Sequence, residues 1–198
     1  MPITDSRRFA AAIAAFDAAN AADPHTELVE GVPQPKELVY ARRMTDWLAR
    51  LAPAAPEAVQ LAARSQHIRR WEIPRGDYPP GPEGYQRWRR ALYKFHAETA
   101  AAILRHVGYE AETVARVETL LQKKRLKLDP EVQLLEDVIC LVFLENYFAA
   151  FSQQHDPAKV IDIVRKTWRK MSPQGHKAAL SLQLPPEAAS LVRQALAG

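Results

Sequence analysis

The sequence predicts an all-α protein, a single HD-domain-like helical bundle of about eight or nine helices. Three observations carry the helical class. Only seven glycines occur among 198 residues, alanine is abundant, and apolar residues recur at spacings of three and four along almost the whole chain.

The elements follow in order. A first helix fits 5–20, with Phe9, Ile13 and Phe16 on one stripe. AADPHTELVEGVPQP, 21–35, reads as a loop from its prolines and glycine. A second helix runs from Pro35 to Leu51, since proline suits a first helical turn, and it ends before Pro53. A third covers 57–72 and stops at Ile73-Pro74, because the residue before proline avoids helical geometry. The segment IPRGDYPPGPEGY, 73–85, holds four prolines and three glycines and reads as an ordered functional loop or a lid. A long helix at 83–107 closes at Gly108, another covers 110–127, and a strongly apolar one covers 131–152. Pro157, Pro173 and Pro186 open three more helices, the middle one short, with Ser172 as its N-cap. No strand is expected.

Composition narrows the function classes. Hydrophobic residues make up 47% of the chain, which excludes global disorder. The longest apolar run, VICLVFL at 138–144, falls far short of the roughly 20 residues of a membrane span. The stretch MPITDSRRFAAAI lacks the apolar core of a secretory signal, so a cytoplasmic protein with no membrane partner is expected. The single cysteine, Cys140, permits no intrachain disulfide and no cysteine-rich zinc site. The net charge of +4 is unevenly placed: residues 64–94 carry eight basic side chains against three acids. A second basic run, KKRLK, occupies 123–127. Local positive potential of this kind suits a confined anionic ligand at least as well as a long polyanion.

Five stretches could carry chemistry. In LAARSQHIRRW, 61–71, the helical reading puts Arg64, His67 and Trp71 on one face with Arg70 beside it. In the next long helix His96 shares a stripe with Trp88 and Leu92. The apolar helix at 131–152 carries Glu136, Asp137 and Glu145, each needing a cationic or hydrogen-bonding partner if buried. The stripe Val114, Val117, Leu120 and Leu121 extends by one turn to Lys124, which can snorkel to solvent or enter a cleft. The start of the short helix at Ser172-Pro173 reads as a capped terminus or an anion site. There is no phosphate-binding glycine loop, dinucleotide turn, nucleophile elbow or HExxH motif.

The order LAARSQHIRRW, FHAETAAAILRHVGY, LLEDVICLVFLE resembles the HD-domain phosphohydrolase superfamily over about 36–150, with 157–197 as a C-terminal extension. That resemblance implies a divalent metal held by two histidines and two aspartates, activating water against a phosphate. Here only His67 and Asp137 match. Tyr40 stands at the early histidine, Ile68 at the first aspartate, and Lys123-Lys124 at a further histidine. More closely, PKELVYARRM, ARSQHIRRWEIPR, LQKKRLKLDPEVQLLEDVICLVFLENYF and RKTWRKMSPQGH resemble the domain of unknown function 4202 family over nearly the full chain. Some of its members carry a glutamyl-tRNA synthetase label. The nucleotide-binding signatures and Rossmann-type core of such an enzyme are missing here.

The functional expectation is a protein that binds a small phosphorylated ligand such as a nucleotide or RNA terminus, with cleavage by a phosphohydrolase or phosphodiesterase reaction left open. His67 and His96 would contact phosphate or move protons, and Asp137 would orient one of them. Arg42, Arg64, Arg70, Arg75 and Lys124 would neutralise charge, with Trp71 beside the ligand and 73–85 above it. No cofactor is expected. Two alternatives stand: a non-catalytic RNA-binding or regulatory module, and a metal-dependent phosphohydrolase in which Glu136, His25 or His96 joins His67 and Asp137. A homo-oligomer is compatible with each.

Overall fold

The computed structural model describes residue 3 and residues 5–197. The fold is all-α, with ten α-helices and one small hairpin among the described residues. It divides into two compact units, 1–124 and 125–198, with the boundary inside the stretch 36–150 that was expected to form one core.

The first unit opens with α1, Ser6–Ala21, whose N-cap Asp5 accepts from the backbone N–H groups of Arg7 and Arg8. The stretch expected to be a loop is instead a two-stranded hairpin, β1 Thr26–Val29 and β2 Val32–Pro35. Glu30 and Gly31 both have positive φ, 51° and 81°, as a two-residue hairpin turn of this hand requires. The prolines that argued against strands do no harm. Pro33 faces Leu28 and Pro35 faces Thr26, alternating with Val29–Val32 and Glu27–Gln34. Both prolines therefore fall at positions that need no N–H for the ladder.

The hairpin leads directly into α2, Lys36–Leu51. Pro35 has no side chain to cap it, and the capping role passes to buried Asp23, whose Oδ2 accepts from the Glu37 N–H at 3.0 Å. Helix α3 covers only Glu57–Ser65, seven residues short of expectation. Beyond Ser65 the backbone groups that would continue it are taken by side chains. Arg69 N–H donates to Oδ1 of fully buried Asn20 at 3.0 Å, and the Ile68 carbonyl accepts from His96 Nδ1 at 2.9 Å. Arg69 is consequently left-handed, φ 50°, before a single 3-10 turn at Arg70–Glu72. Tertiary hydrogen bonds override the helical periodicity here.

Helix α4, Gly81–Val107, starts earlier than the prolines suggested, so the preceding loop is shorter and closely packed. Arg75 donates to the carbonyls of Tyr78 and Pro79, both at 2.9 Å. A Cβ at Gly84 would lie 1.8 Å from the Pro79 oxygen, so only glycine allows this approach. Helix α5, Ala111–Leu121, ends six residues sooner than expected. Helices α1 to α5 pack on one another around Phe16, Met44, Val59, Leu61, Leu104 and Leu120.

Two helix ends deserve comparison. At the end of α4, Gly108 N–H reaches the Arg105 carbonyl and Tyr109 N–H reaches Leu104, with Gly108 at φ 90°. At the end of α5 the same paired bonds run from Lys123 to Leu120 and from Lys124 to Thr119, but the left-handed residue is Lys123, φ 54°. Both are Schellman closures, and only the first uses the residue that suits it.

The second unit contains α6 Pro130–Asn146, α7 Phe148–Gln153, α8 Pro157–Lys170, α9 Pro173–Leu180 and α10 Pro186–Leu196. The single apolar helix expected at 131–152 is broken at Tyr147 into α6 and α7. The three prolines expected to open helices do so, and Ser172 caps α9 through its Oγ, which accepts from Gly175 N–H.

Candidate functional site

The early end of α3 places His67 in a turn instead of on a helical face. Around it the first unit assembles Glu37 and Tyr40 from α2, Arg70 from the 3-10 turn, and His96 from α4. The Tyr40 and His67 rings stack at 3.9 Å and 13°, and the His67 and His96 centroids are 5.8 Å apart. The Arg70 guanidinium also lies over the Trp88 ring, 5.0 Å from its centroid.

Hydrogen bonding fixes the tautomer of His96. Arg70 Nη1 lies 2.9 Å from His67 Nε2 and 3.4 Å from its Nδ1, so the guanidinium sits against the ring. Nδ1 lies 3.4 Å from Glu37 Oε2. His96 Nδ1 donates to the Ile68 carbonyl, leaving its Nε2 as a bare lone pair.

The charges agree with neutral imidazoles. Burial lowers the His67 pKa well below its ordinary value, and the positive charges of Arg70, Lys123, Arg89 and Lys36 lower it further. Burial also lowers His96, to about 3, with His67 and Arg70 adding to the effect. Glu37 moves the other way, up to about 7, because burial disfavours its charged form more than Arg70 favours it. Four cationic side chains thus act on one neutral imidazole, whose Nδ1 lies near Glu37, and Glu37 in turn feels the charge of Asp23. The cluster meets solvent at its edge: the His67 side chain is 20% exposed and that of Arg70 30%.

The remaining expected residues lie as follows. Arg64 is bound to Asp17 by two parallel bonds of 2.6 and 2.7 Å, with a third donor to Thr45, so its charge is matched within the core. Arg42 is exposed and donates to Gln34 of the hairpin. Arg75 holds its own loop, as described above. Trp71 is half-buried in the 3-10 turn, and Lys124 is exposed because α5 ends before reaching it. His25 is exposed and sits 3.0 Å from Asp23.

In the second unit Asp137 is buried and fully engaged. Its Oδ1 accepts from Ser172 N–H at 2.8 Å and Gln133 Nε2 at 3.0 Å, and its Oδ2 accepts from Ser172 Oγ at 2.5 Å. The anion at the start of α9 is therefore the chain's own carboxylate. Buried Glu136 lies 3.8 Å from Lys170 Nζ, whereas Glu145 is exposed.

A divalent ion is a poor match for these residues. Arg70 Nη1 lies against the His67 ring, the charges of three more cations act on it, and the Asp137 oxygens are committed to Ser172 and Gln133. Among the described residues no group of three or more His, Cys, Asp or Glu side chains is placed to hold a metal ion.

A family described as "Domain of unknown function (DUF4202)" matches residues 10–192, spanning both units. The chain belongs to this family. No curated protein and no solved structure matches it. Among the described residues, no helix is long and apolar enough to cross a membrane. For this DUF4202 chain, sequence reasoning missed Glu37, Lys36 and Arg89 and mentioned Tyr40 and Lys123 only as substitutes for histidines. No local motif marks them. The available hint was compositional: PKELVY puts a cation and an acid at the opening of a helix whose next turn is apolar.

Proposed function

We propose that this DUF4202 protein binds a small phosphorylated ligand, a nucleotide, sugar phosphate or RNA terminus, at the Glu37–His67–Arg70–His96 cluster. The observation that carries the reading is a guanidinium set against a neutral imidazole at the solvent edge, while three further cations act on the same ring. Arg70, whose side chain is 30% exposed at the edge of the cluster, is the cation best placed to meet an incoming anion. Phosphate oxygens offer Arg70 anionic, paired acceptors that match the guanidinium fork, which the neutral His67 ring does not.

The same exchange supplies a route to hydrolysis. When Arg70 turns to phosphate, His67 in the tautomer with its proton on Nδ1, beside Glu37, presents a lone pair at Nε2. A water placed between Nε2 and phosphorus would give its proton to Nε2 as its oxygen bonds phosphorus. The P–O ester bond breaks with its electron pair going to the leaving oxygen, which then takes the proton from His67. Glu37 would stabilise the resulting imidazolium.

A thermal-shift screen of nucleotides and sugar phosphates tests the binding. Saturable stabilisation by at least one compound, lost in Arg70→Met, is expected. No shift across the screen, with RNA retained on the purified protein, would point to the nucleic-acid alternative. Phosphate release from the bound compound, lost in His67→Asn while binding persists, tests the hydrolytic step.

A further inference from the structure

The second unit carries an open surface cleft of about 460 Å³, lined by Arg165, Trp168 and Arg169 of α8, Leu180 of α9, and Ala195 and Leu196 of α10. That volume falls within the range of roughly 300–1,000 Å³ typical of small-ligand pockets. Arg165, Trp168 and Arg169 stand at spacings of three and four, so α8 turns all three to one side. Leu180 and Leu196 are the last residues of α9 and α10, and they are 68% and 36% exposed. A single exposed leucine is ordinary, but two that line one cleft beside an indole make an apolar lining open to solvent.

Two of the walls are held in place by the fold itself. His176 Nε2 donates to the Trp168 carbonyl at 2.9 Å, and its ring stacks on the indole, with centroids 4.1 Å apart and planes 4° from parallel. Arg165 Nε donates to the Ala195 carbonyl at 3.1 Å, which fixes the guanidinium against the end of α10. Its Nη groups, and the whole Arg169 guanidinium, have no hydrogen bond or ion pair among the described residues. No acidic side chain is among the described residues that line the cleft. Both guanidiniums are hydrated in the free protein, so they act on a ligand chiefly by selecting its sign of charge, while the apolar walls supply affinity.

We propose that this cleft binds a carboxylate carried on an aliphatic chain, with the chain on Leu180, Leu196 and the Trp168 indole and the carboxylate at Arg165 and Arg169. Guanidinium and carboxylate match through two parallel hydrogen bonds. The lining offers a single aromatic ring, one face of which His176 covers, so a flexible chain fits it better than a flat ligand sandwiched between rings. The Glu37–His67–Arg70–His96 cluster lies wholly in the first unit, and the cleft does not depend on what that cluster binds.

Calorimetric titration of the full chain with decanoate and with decyltrimethylammonium, both below their micellar concentrations, tests the proposal. The two probes have similar chains and heads of opposite charge. Wild type should bind decanoate one to one, and about tenfold or more tightly than the cation. Arg169→Glu should remove that preference, and Leu180→Asp should weaken decanoate about tenfold. Both positions are exposed, so circular dichroism should show both variants folded. Arg70→Met should bind decanoate as wild type does. No decanoate binding, equal affinity for the two probes, a preference that survives in Arg169→Glu, or binding untouched by Leu180→Asp would overturn the proposal. Loss of decanoate binding in Arg70→Met would also overturn it, by placing the probe at the first-unit cluster. So would co-sedimentation with phosphatidylglycerol vesicles by a protein that ignores free decanoate, which would make the cleft part of a membrane contact. Each of these outcomes leaves the phosphate reading of the first unit standing.

Discussion

Lys123 allows the fold and the proposed site to be weighed against each other. It is the left-handed residue of a Schellman closure, φ 54°, where α4 uses Gly108. An L-residue in that region costs roughly 1–2 kcal/mol relative to glycine. Lys123→Gly removes that strain, but glycine's larger unfolded freedom takes back roughly 0.4–1 kcal/mol. The Lys123 ammonium also lies 5.5 Å from the Tyr93 ring centroid, and losing that contact costs about 0.5 kcal/mol. The balance favours the variant by about 0.3 kcal/mol, or about 1 °C in Tm for a chain of this size. Its effect on phosphate should be the reverse. Removing one of the four cations that act on His67 should weaken phosphate binding about fivefold, near 1 kcal/mol after allowance for solvent access. Urea denaturation and calorimetric phosphate titration on the same preparations measure the two quantities. A variant less stable than wild type by more than about 1 kcal/mol would refute the strain argument. Unchanged phosphate affinity would remove Lys123 from the site.

Three further outcomes are expected. Glu37 has a folded-state pKa near 7, above its ordinary value of 4.5, so its contribution to stability is present below pH 4.5 and lost as pH rises through 7. Glu37→Gln should therefore gain on wild type by up to about 3 kcal/mol between pH 4.5 and 8, measured by urea denaturation; a difference that is flat with pH would contradict the assigned burial. Asp17→Asn leaves the buried Arg64 guanidinium without its carboxylate and should cost about 3 kcal/mol, with phosphate affinity unchanged in calorimetry. Gly175→Ala would place a Cβ 2.7 Å from Asp137 Oδ1, and chemical denaturation should show a loss of about 1–3 kcal/mol if the α9 cap is as close as described.

The helical class and most helix starts were legible because they depend on local chemistry. Pro157, Pro173 and Pro186 begin helices, Ser172 caps one, and Gly108 closes α4 for reasons a few residues contain. Helix ends set by distant partners were not legible. Nothing in LAARSQHIRRW announces that Asn20 and His96 will take the backbone groups of Arg69 and Ile68. The hairpin was hidden by two prolines whose register makes them harmless. Within the site, His67, His96 and Arg70 stood out through their residue types, and the structure brings these three together. Glu37 did not stand out, because burial is what makes it informative, and burial is a property of the fold. Arg64 attracted attention for its charge, which Asp17 matches from another helix.

The central claim is that the charge gathered on His67 is arranged for phosphate. Calorimetric titration of inorganic phosphate into wild type and into Arg70→Met, at fixed ionic strength, tests it most directly. Saturable one-to-one binding to wild type, weakened at least tenfold in Arg70→Met while the unliganded variant remains folded, is the predicted result. No binding to wild type, or equal affinity in the two proteins, would contradict it.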